Sequence, residues 1–140
     1  MAEAAAAAMW AEDQASAGLG MELIRIAPGE AEMRMTIKAP MTNGHGSAHG
    51  GFIFALADSC FAFACNSFNQ RAVAQACSIT FLRPAREGDV LTARATRQAE
   101  AGRTGLYSIL VTNAAGEAVA AFQGQSRSIP GTLVPEEAPS

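Results

Sequence analysis

Residues 52–66 contain neither Gly nor Pro and are apolar around their whole circumference, interrupted inside the run only by Asp58 and Ser59. Length and the lack of breakers favour a helix over a strand. A helix without a polar face has to be enclosed by the rest of the protein. That demand narrows the fold: a strongly curved sheet must wrap one side, and other surfaces must be covered, most cheaply by pairing between subunits. An α+β domain that oligomerises follows from pattern alone.

The flanking segments fit that frame. Residues 2–17 are Ala-rich, which predicts a short N-terminal helix ended by Gly18 and Gly20. Residues 21–26 and 32–38 flank Pro28-Gly29 and read as two strands joined by a tight turn. Residues 39–51 hold Pro40, Asn43, His45, His49 and four Gly, a loop in which the backbone takes unusual angles or lets a ligand come close. Four further strands are predicted over 77–82, 91–97, 106–112 and 118–127; on the last, Ala118, Ala120 and Phe122 share one face and Gln123, Gln125 and Arg127 the other. Short turns at 86–89, 101–103 and 113–116 imply antiparallel pairing of successive strands. The organisation is an N-terminal helical segment (1–20), one domain (21–129) and a solvated, flexible tail (130–140).

The chain has 140 residues, 49% hydrophobic and 16% charged, a globular composition for one domain. A net charge of −3 argues against general nucleic-acid binding. The charge is uneven: residues 1–70 carry three cations and seven anions, residues 71–127 seven cations and four anions, and those seven cations are all Arg, a side chain suited to phosphate. Three cysteines, Cys60, Cys65 and Cys77, give an odd count that fits a reducing cytoplasm better than a disulfide framework. No basic segment precedes an apolar core at the start, so no signal peptide is expected, and the longest apolar run is too short and too charged to span a membrane.

Asp58 is the only charged residue between Lys38 and Arg71. A carboxylate inside an enclosed helix costs several kcal/mol unless it is paired or its pKa rises, and a raised pKa suits a general base or nucleophile. The bland alternative is a structural Asp that caps a loop or meets a buried Arg. At the start of the same helix, Gly50 and Gly51 have no side chains and can present backbone N–H groups, reinforced by the helix dipole, to a carbonyl oxygen, which is the chemistry of an oxyanion hole. Asn43 and His49 are polar groups beside that loop. His45 and His49 lack a third ligand at metal-binding spacing, so no metal is expected. Cys60 and Cys65 sit in the apolar helix, where thiols are usually packing. Arg83 and Arg86 end one strand and Arg103 opens another; if these ends meet, they form a cationic rim for a phosphorylated ligand.

The ordered set Asn43-Gly44-His45-Gly46, His49-Gly50-Gly51, Leu56-Ala57-Asp58, Ala64-Cys65-Asn66 and Ser78-Ile79-Thr80-Phe81-Leu82-Arg83-Pro84-Ala85, followed by Arg103-Thr104-Gly105 and Gly124-Gln125-Ser126-Arg127, resembles the hotdog-fold acyl-CoA thioesterases of the phenylacetate-degradation type over residues 21–131. The resemblance implies a long central helix wrapped by a curved antiparallel sheet. It also implies a homodimer with active sites at its interface and a homotetramer of two such dimers. Asp58 matches the catalytic acid, Gly50 the residue whose N–H polarises the thioester carbonyl, Asn43 the residue that orients water or carboxylate, and His49 a residue near the thioester. Asp58 would then face Asn43 and Gly50 of the partner subunit. Some members place Ser or Thr on the strand opposite the acid; residues 73–76 offer Ala there, with Gln75 as the substitute. Arg83, Arg103 and Arg127 are candidates for the CoA phosphates by charge and strand-end position, and Phe54, Phe61 and Met41 for an apolar acyl pocket.

The function expected is hydrolysis of an arylacetyl-CoA, such as a hydroxylated phenylacetyl-CoA, to CoA and free acid without metal or other cofactor. Two rivals remain: a non-catalytic acyl-CoA or aromatic-ligand module on the same fold, and dehydration of a hydroxyacyl thioester.

Overall fold

A computed structural model describes residues 1–136. Helices α1 (Ala2–Glu12) and α2 (Gln14–Gly18) precede β1 (Glu22–Ala27) and β2 (Glu30–Thr36); α3 (Gly50–Cys65) follows, and then β3 (Ala72–Phe81), β4 (Val90–Ala101), β5 (Thr104–Thr112) and β6 (Ala118–Ser128). The strands form one antiparallel sheet in the order β1-β2-β4-β5-β6-β3. Helix α3 touches all six strands. This is the α+β architecture expected from the enclosed helix.

Alternation on the strands supplies the core. On β2, Ala31, Met33 and Met35 point inward, and their register partners on β4, Ala95, Ala93 and Leu91, are buried with them. Ile109 and Val111 on β5 and Ala120 and Phe122 on β6 continue this layer against Ile53, Leu56, Ala57, Cys60 and Phe61 of α3. Each large side chain so buried contributes roughly 1.5–3 kcal/mol.

The other side of α3 is covered partly from within the chain. Ala5 and Ala6 of α1 are buried, the Trp10 ring lies 6.1 Å from Phe63, and Ser16 Oγ is 2.8 Å from Ser59 Oγ. The N-terminal segment is thus part of the single core. Asp13 splits the helix predicted over 2–17, because its carboxylate accepts the Ser16 N–H at 3.0 Å and caps a second helix.

Two expectations are corrected. Strand β3 begins at Ala72, five residues before the predicted start, and it does not pair with its successor β4; it lies at the sheet edge beside β6 alone. It has no buried alternating face, since only Ala72 and Ile79 are even half-buried, so it cannot take the inner position that β4 fills beside β2. The segment after β6 is hydrogen-bonded to the connection between α3 and β3. Asn69, at φ +58°, accepts the N–H groups of Leu133 and Val134 at 3.1 and 3.0 Å and donates to the Val134 carbonyl at 3.0 Å, and Gln70 donates to the Ile129 carbonyl. Residues 137–140 of the expected tail lie outside the described residues.

Candidate active site

The loop before α3 is held by Asn43. Its Oδ1 accepts the N–H groups of His45 at 2.9 Å and Ser47 at 3.2 Å, while its own N–H donates to the Ser47 carbonyl at 2.8 Å. The loop is tied down where His49 N donates to Met41 O and Ala48 N to Ala85 O, both at 2.7 Å. His49 is the N-cap of α3, and its Nδ1 accepts the Gly51 N–H at 3.1 Å. An accepting Nδ1 leaves the proton of the neutral ring on Nε2.

Gly50 and Gly51 therefore differ, where the sequence made them equivalent. The Gly51 N–H is taken by His49. Among the described residues the Gly50 N–H has no acceptor, and it sits in the first turn of α3, where the helix dipole is positive. The Phe81 ring lies against the Gly50 Cα: a Cβ there would stand 2.9 Å from Phe81 Cζ and 3.3 Å from both Cε atoms. Any larger residue at position 50 displaces that ring.

Asp58 lies halfway along α3 and is half-buried. Burial pushes its carboxyl above the ordinary value of 3.8, and no guanidinium or ammonium among the described residues pairs with it. Its charge helps raise the thiols of Cys65, two helical turns on, and of the exposed Cys77 on β3. Burial pushes Cys60 and Cys65 up to about 12, and Cys60 Sγ donates to the carbonyls of Ala31 and Ala93, so both behave as packing.

Gln75 is exposed at a β-bulge: Ala74 pairs with Ser126 and Ala76 with Gln125, and Gln75 falls between them. The three arginines do not form one rim. Arg83 forms an ion pair with Glu117 and donates from Nε to the Ala118 carbonyl at 3.0 Å. Arg103 and Arg127 lie together at the other end of the sheet, where Thr104 pairs with Arg127 and Ser128 N donates to Arg103 O. Along β6 the Ala120 partner of Phe81 is seven residues from Arg127, about 23 Å. Of the residues proposed for an acyl pocket, Met41 and Phe61 are core, and only Phe54 is half-exposed, with its ring 5.2 Å from Phe122. Sequence reasoning passed over Phe81; the signal available was an aromatic residue at the end of a predicted strand.

A long helix laid across a six-stranded antiparallel sheet is the hotdog fold, and the class of protein it defines here is the thioesterases. Residues 45–120 match the family model described as the thioesterase superfamily, and the chain belongs to that family. The acyl-coenzyme A thioesterase PaaI of Escherichia coli (strain K12) is 46% identical over 129 residues, 92% of each chain. The solved structure of the E. coli PaaI protein from the phenylacetic acid degradation operon matches with a TM-score of 0.92 at 46% identity, covering 94% of this chain and 95% of that one. A variant of the phenylacetic acid degradation protein PaaI from Thermus thermophilus matches at 38% identity and a TM-score of 0.80, covering 84% and 100% of the two chains.

Proposed function

We propose that this thioesterase hydrolyses arylacetyl-CoA thioesters, the ring-hydroxylated phenylacetyl type among them, to CoA and free acid in a site shared between two copies of the chain. The observation that carries the reading is the spacing of its two reactive groups. Gly50 and Asp58 are eight residues apart on one helix, about 12 Å along its axis, so one chain cannot bring both to one carbonyl. Strand β3 has a bare edge beside Asp58, and α3 runs antiparallel to it: Gly50 lies under Phe81, and Asn66 Nδ2 donates to the Ala72 carbonyl at 3.1 Å. Two β3 edges paired antiparallel across a two-fold axis would run the helices in opposite directions and carry Asp58 toward Gly50 of the partner subunit. Val73 and Phe81, 46% and 50% exposed on that strand, supply apolar surface for such pairing. Two such dimers would make the tetramer.

In that arrangement the thioester carbonyl accepts from the free Gly50 N–H, which steadies the negative charge that grows on oxygen as the nucleophile adds to the carbonyl carbon and that leaves with the CoA thiolate when the C–S bond then breaks. The Asp58 carboxylate either takes a proton from the attacking water or attacks the carbonyl itself, forming an anhydride that water opens. Its raised pKa makes it a better base than an exposed carboxylate. The Oδ1 of Asn43 is used in its own turn, so its Nδ2 hydrogens are the groups left to orient the water or the carboxylate. His49 presents Nε2–H near the thioester, Gly51 serves by fixing the His49 ring, and Gln75 at its bulge takes the polar position opposite the acid. Arg127 suits the CoA phosphates better than Arg83, whose charge Glu117 already meets, and Arg103 lines a cleft at the C-terminal end of α3. Water is the only co-reactant this chemistry needs. Among the described residues no helix is long and apolar enough to cross a membrane, and the three free cysteines fit the cytoplasm.

A thiol-release assay with a panel of acyl-CoA substrates tests the reading, comparing wild type with Asp58→Asn. Turnover of arylacetyl-CoA by the wild type, lost in the variant, supports it. Tight binding without turnover would instead make the chain a non-catalytic acyl-CoA module.

A further inference from the structure

A cleft of about 240 Å³ opens at the C-terminal end of α3, between Cys65, Phe68, the start of β3 at Ala72, and the inner ends of β5 and β6 at Thr104, Tyr107 and Ser126. Tyr107 is only 2% exposed, and among the described residues its hydroxyl has no hydrogen-bond partner. No fully buried side-chain polar atom among the described residues lacks a partner, so this hydroxyl keeps part of the small exposure that remains, and Tyr107 lines the cleft. A hydroxyl that only a narrow cleft hydrates favours a polar group that reaches it from there. The ring is fixed in place: it packs against Phe61 at 5.6 Å between centroids and runs back over Gly105, where a Cβ would stand 3.0 Å from Tyr107 Cε1. Two arginines line the cleft: Arg97 donates to Glu100 at 2.6 Å and lies over the Phe68 ring at 4.5 Å, whereas Arg103 has no ion pair among the described residues.

The cleft lies within reach of the proposed reaction centre. Cys77 and Tyr107 both pair with Gly124, so they stand in one row of the sheet; Asp58 is halfway along α3 and Cys77 halfway along the antiparallel β3, so the two are level. From that row the Tyr107 ring points toward the C-terminal end of α3. Cys65, which lines the cleft, follows Asp58 by seven residues on the same side of the helix, about 10 Å. An arylacetyl group leaving the thioester carbonyl along this side of α3 carries its far end toward the Tyr107 hydroxyl.

We propose that this cleft receives the distal end of the acyl group, and that Tyr107 is the residue that selects acyl groups ending in a hydrogen-bonding substituent such as a ring hydroxyl. This rests on the thioesterase reading of Asp58 and Gly50 given above. A site that binds a substrate hydroxyl through a buried partner discriminates strongly against the analogue that lacks it.

The test measures kcat/KM for phenylacetyl-CoA, 3-hydroxyphenylacetyl-CoA and 4-hydroxyphenylacetyl-CoA with wild type and Tyr107→Phe. The wild type is expected to prefer at least one hydroxylated thioester, and in Tyr107→Phe that preference falls about tenfold or more. Calorimetric binding of the free acids is expected to show the same loss, independently of turnover. If the wild type hydrolyses these thioesters with no preference, or if the preference and the acid affinities survive in the variant, the role of Tyr107 is overturned and the thioesterase reading stands. If the wild type hydrolyses none of the three, the arylacetyl reading itself fails and this inference with it.

Discussion

Gly50→Ala separates stability from chemistry at the start of α3. The added methyl would stand 2.9 Å from Phe81 Cζ and 3.3 Å from both Cε atoms, inside the roughly 3.5–4.0 Å at which carbon atoms rest. Phe81 is half-exposed, so its ring can swing away, which keeps the steric cost near the low end of overpacking, about 1 kcal/mol. Ala gains up to about 1 kcal/mol over Gly in a helix. The two nearly cancel, and Tm is expected to move by only a few degrees. Activity has no such compensation, because the methyl and the displaced ring crowd the approach to the one free amide. Losing an oxyanion donor costs about 10²–10³ in kcat, and an obstructed one is expected to fall at the lower end. Thiol release from arylacetyl-CoA, paired with thermal melts, measures both. Adding Phe81→Ala is expected to show non-additive stability, since the two positions are in contact. A folded Gly50→Ala protein with wild-type kcat would refute the assignment of the carbonyl to this amide.

Further predictions concern the acid, the core and the sheet edge. Asp58→Asn is expected to lower kcat at least about a hundredfold. It is also expected to raise Tm at neutral pH: the native carboxyl titrates above its unfolded value, so wild-type stability falls as pH rises from the ordinary carboxylate range through the native pKa, and the gain in the variant vanishes below that window. By the same shift, wild-type kcat rises with pH through a midpoint above 3.8, and a rate already at its plateau there would contradict a desolvated base. Gly124→Ala places a Cβ 2.7–2.8 Å from three ring atoms of Phe61, which is buried and cannot swing out. A loss of about 1–3 kcal/mol in urea unfolding, partly restored by Phe61→Leu, is expected. Val73→Lys on the bare edge of β3 puts a charge on apolar surface that such pairing would bury; sedimentation is expected to show monomer, with activity lost, and an active monomer would contradict the shared site.

Much of this protein follows from local pattern. The enclosed helix was legible because an apolar run with no breaker has one way to satisfy both its backbone and its surface, and the hairpins at Gly29, Gly102 and Gly116 were legible because each turn needs positive φ, which glycine adopts at no steric cost. Asp58 stood out because a lone charge among apolar neighbours is costly wherever the chain folds. The positions of Asn43 and His49 in the loop before the helix were equally plain, but their hydrogen bonds were not.

What tertiary structure alone decided is which atoms remain unsatisfied. Sequence treats Gly50 and Gly51 alike; the His49 ring takes one amide and leaves the other. It treats Arg83, Arg103 and Arg127 alike; strand order sends the first to Glu117 and the others to the far end of the sheet. It gives β3 no distinction from its neighbours, whereas pairing β2 with β4 leaves that strand at the edge with one side bare. Hydrophobic periodicity is a local property and fixes elements, but satisfaction of a donor, a charge or a strand edge depends on contacts between residues far apart in the chain, and these exist only once the sheet has closed on the helix.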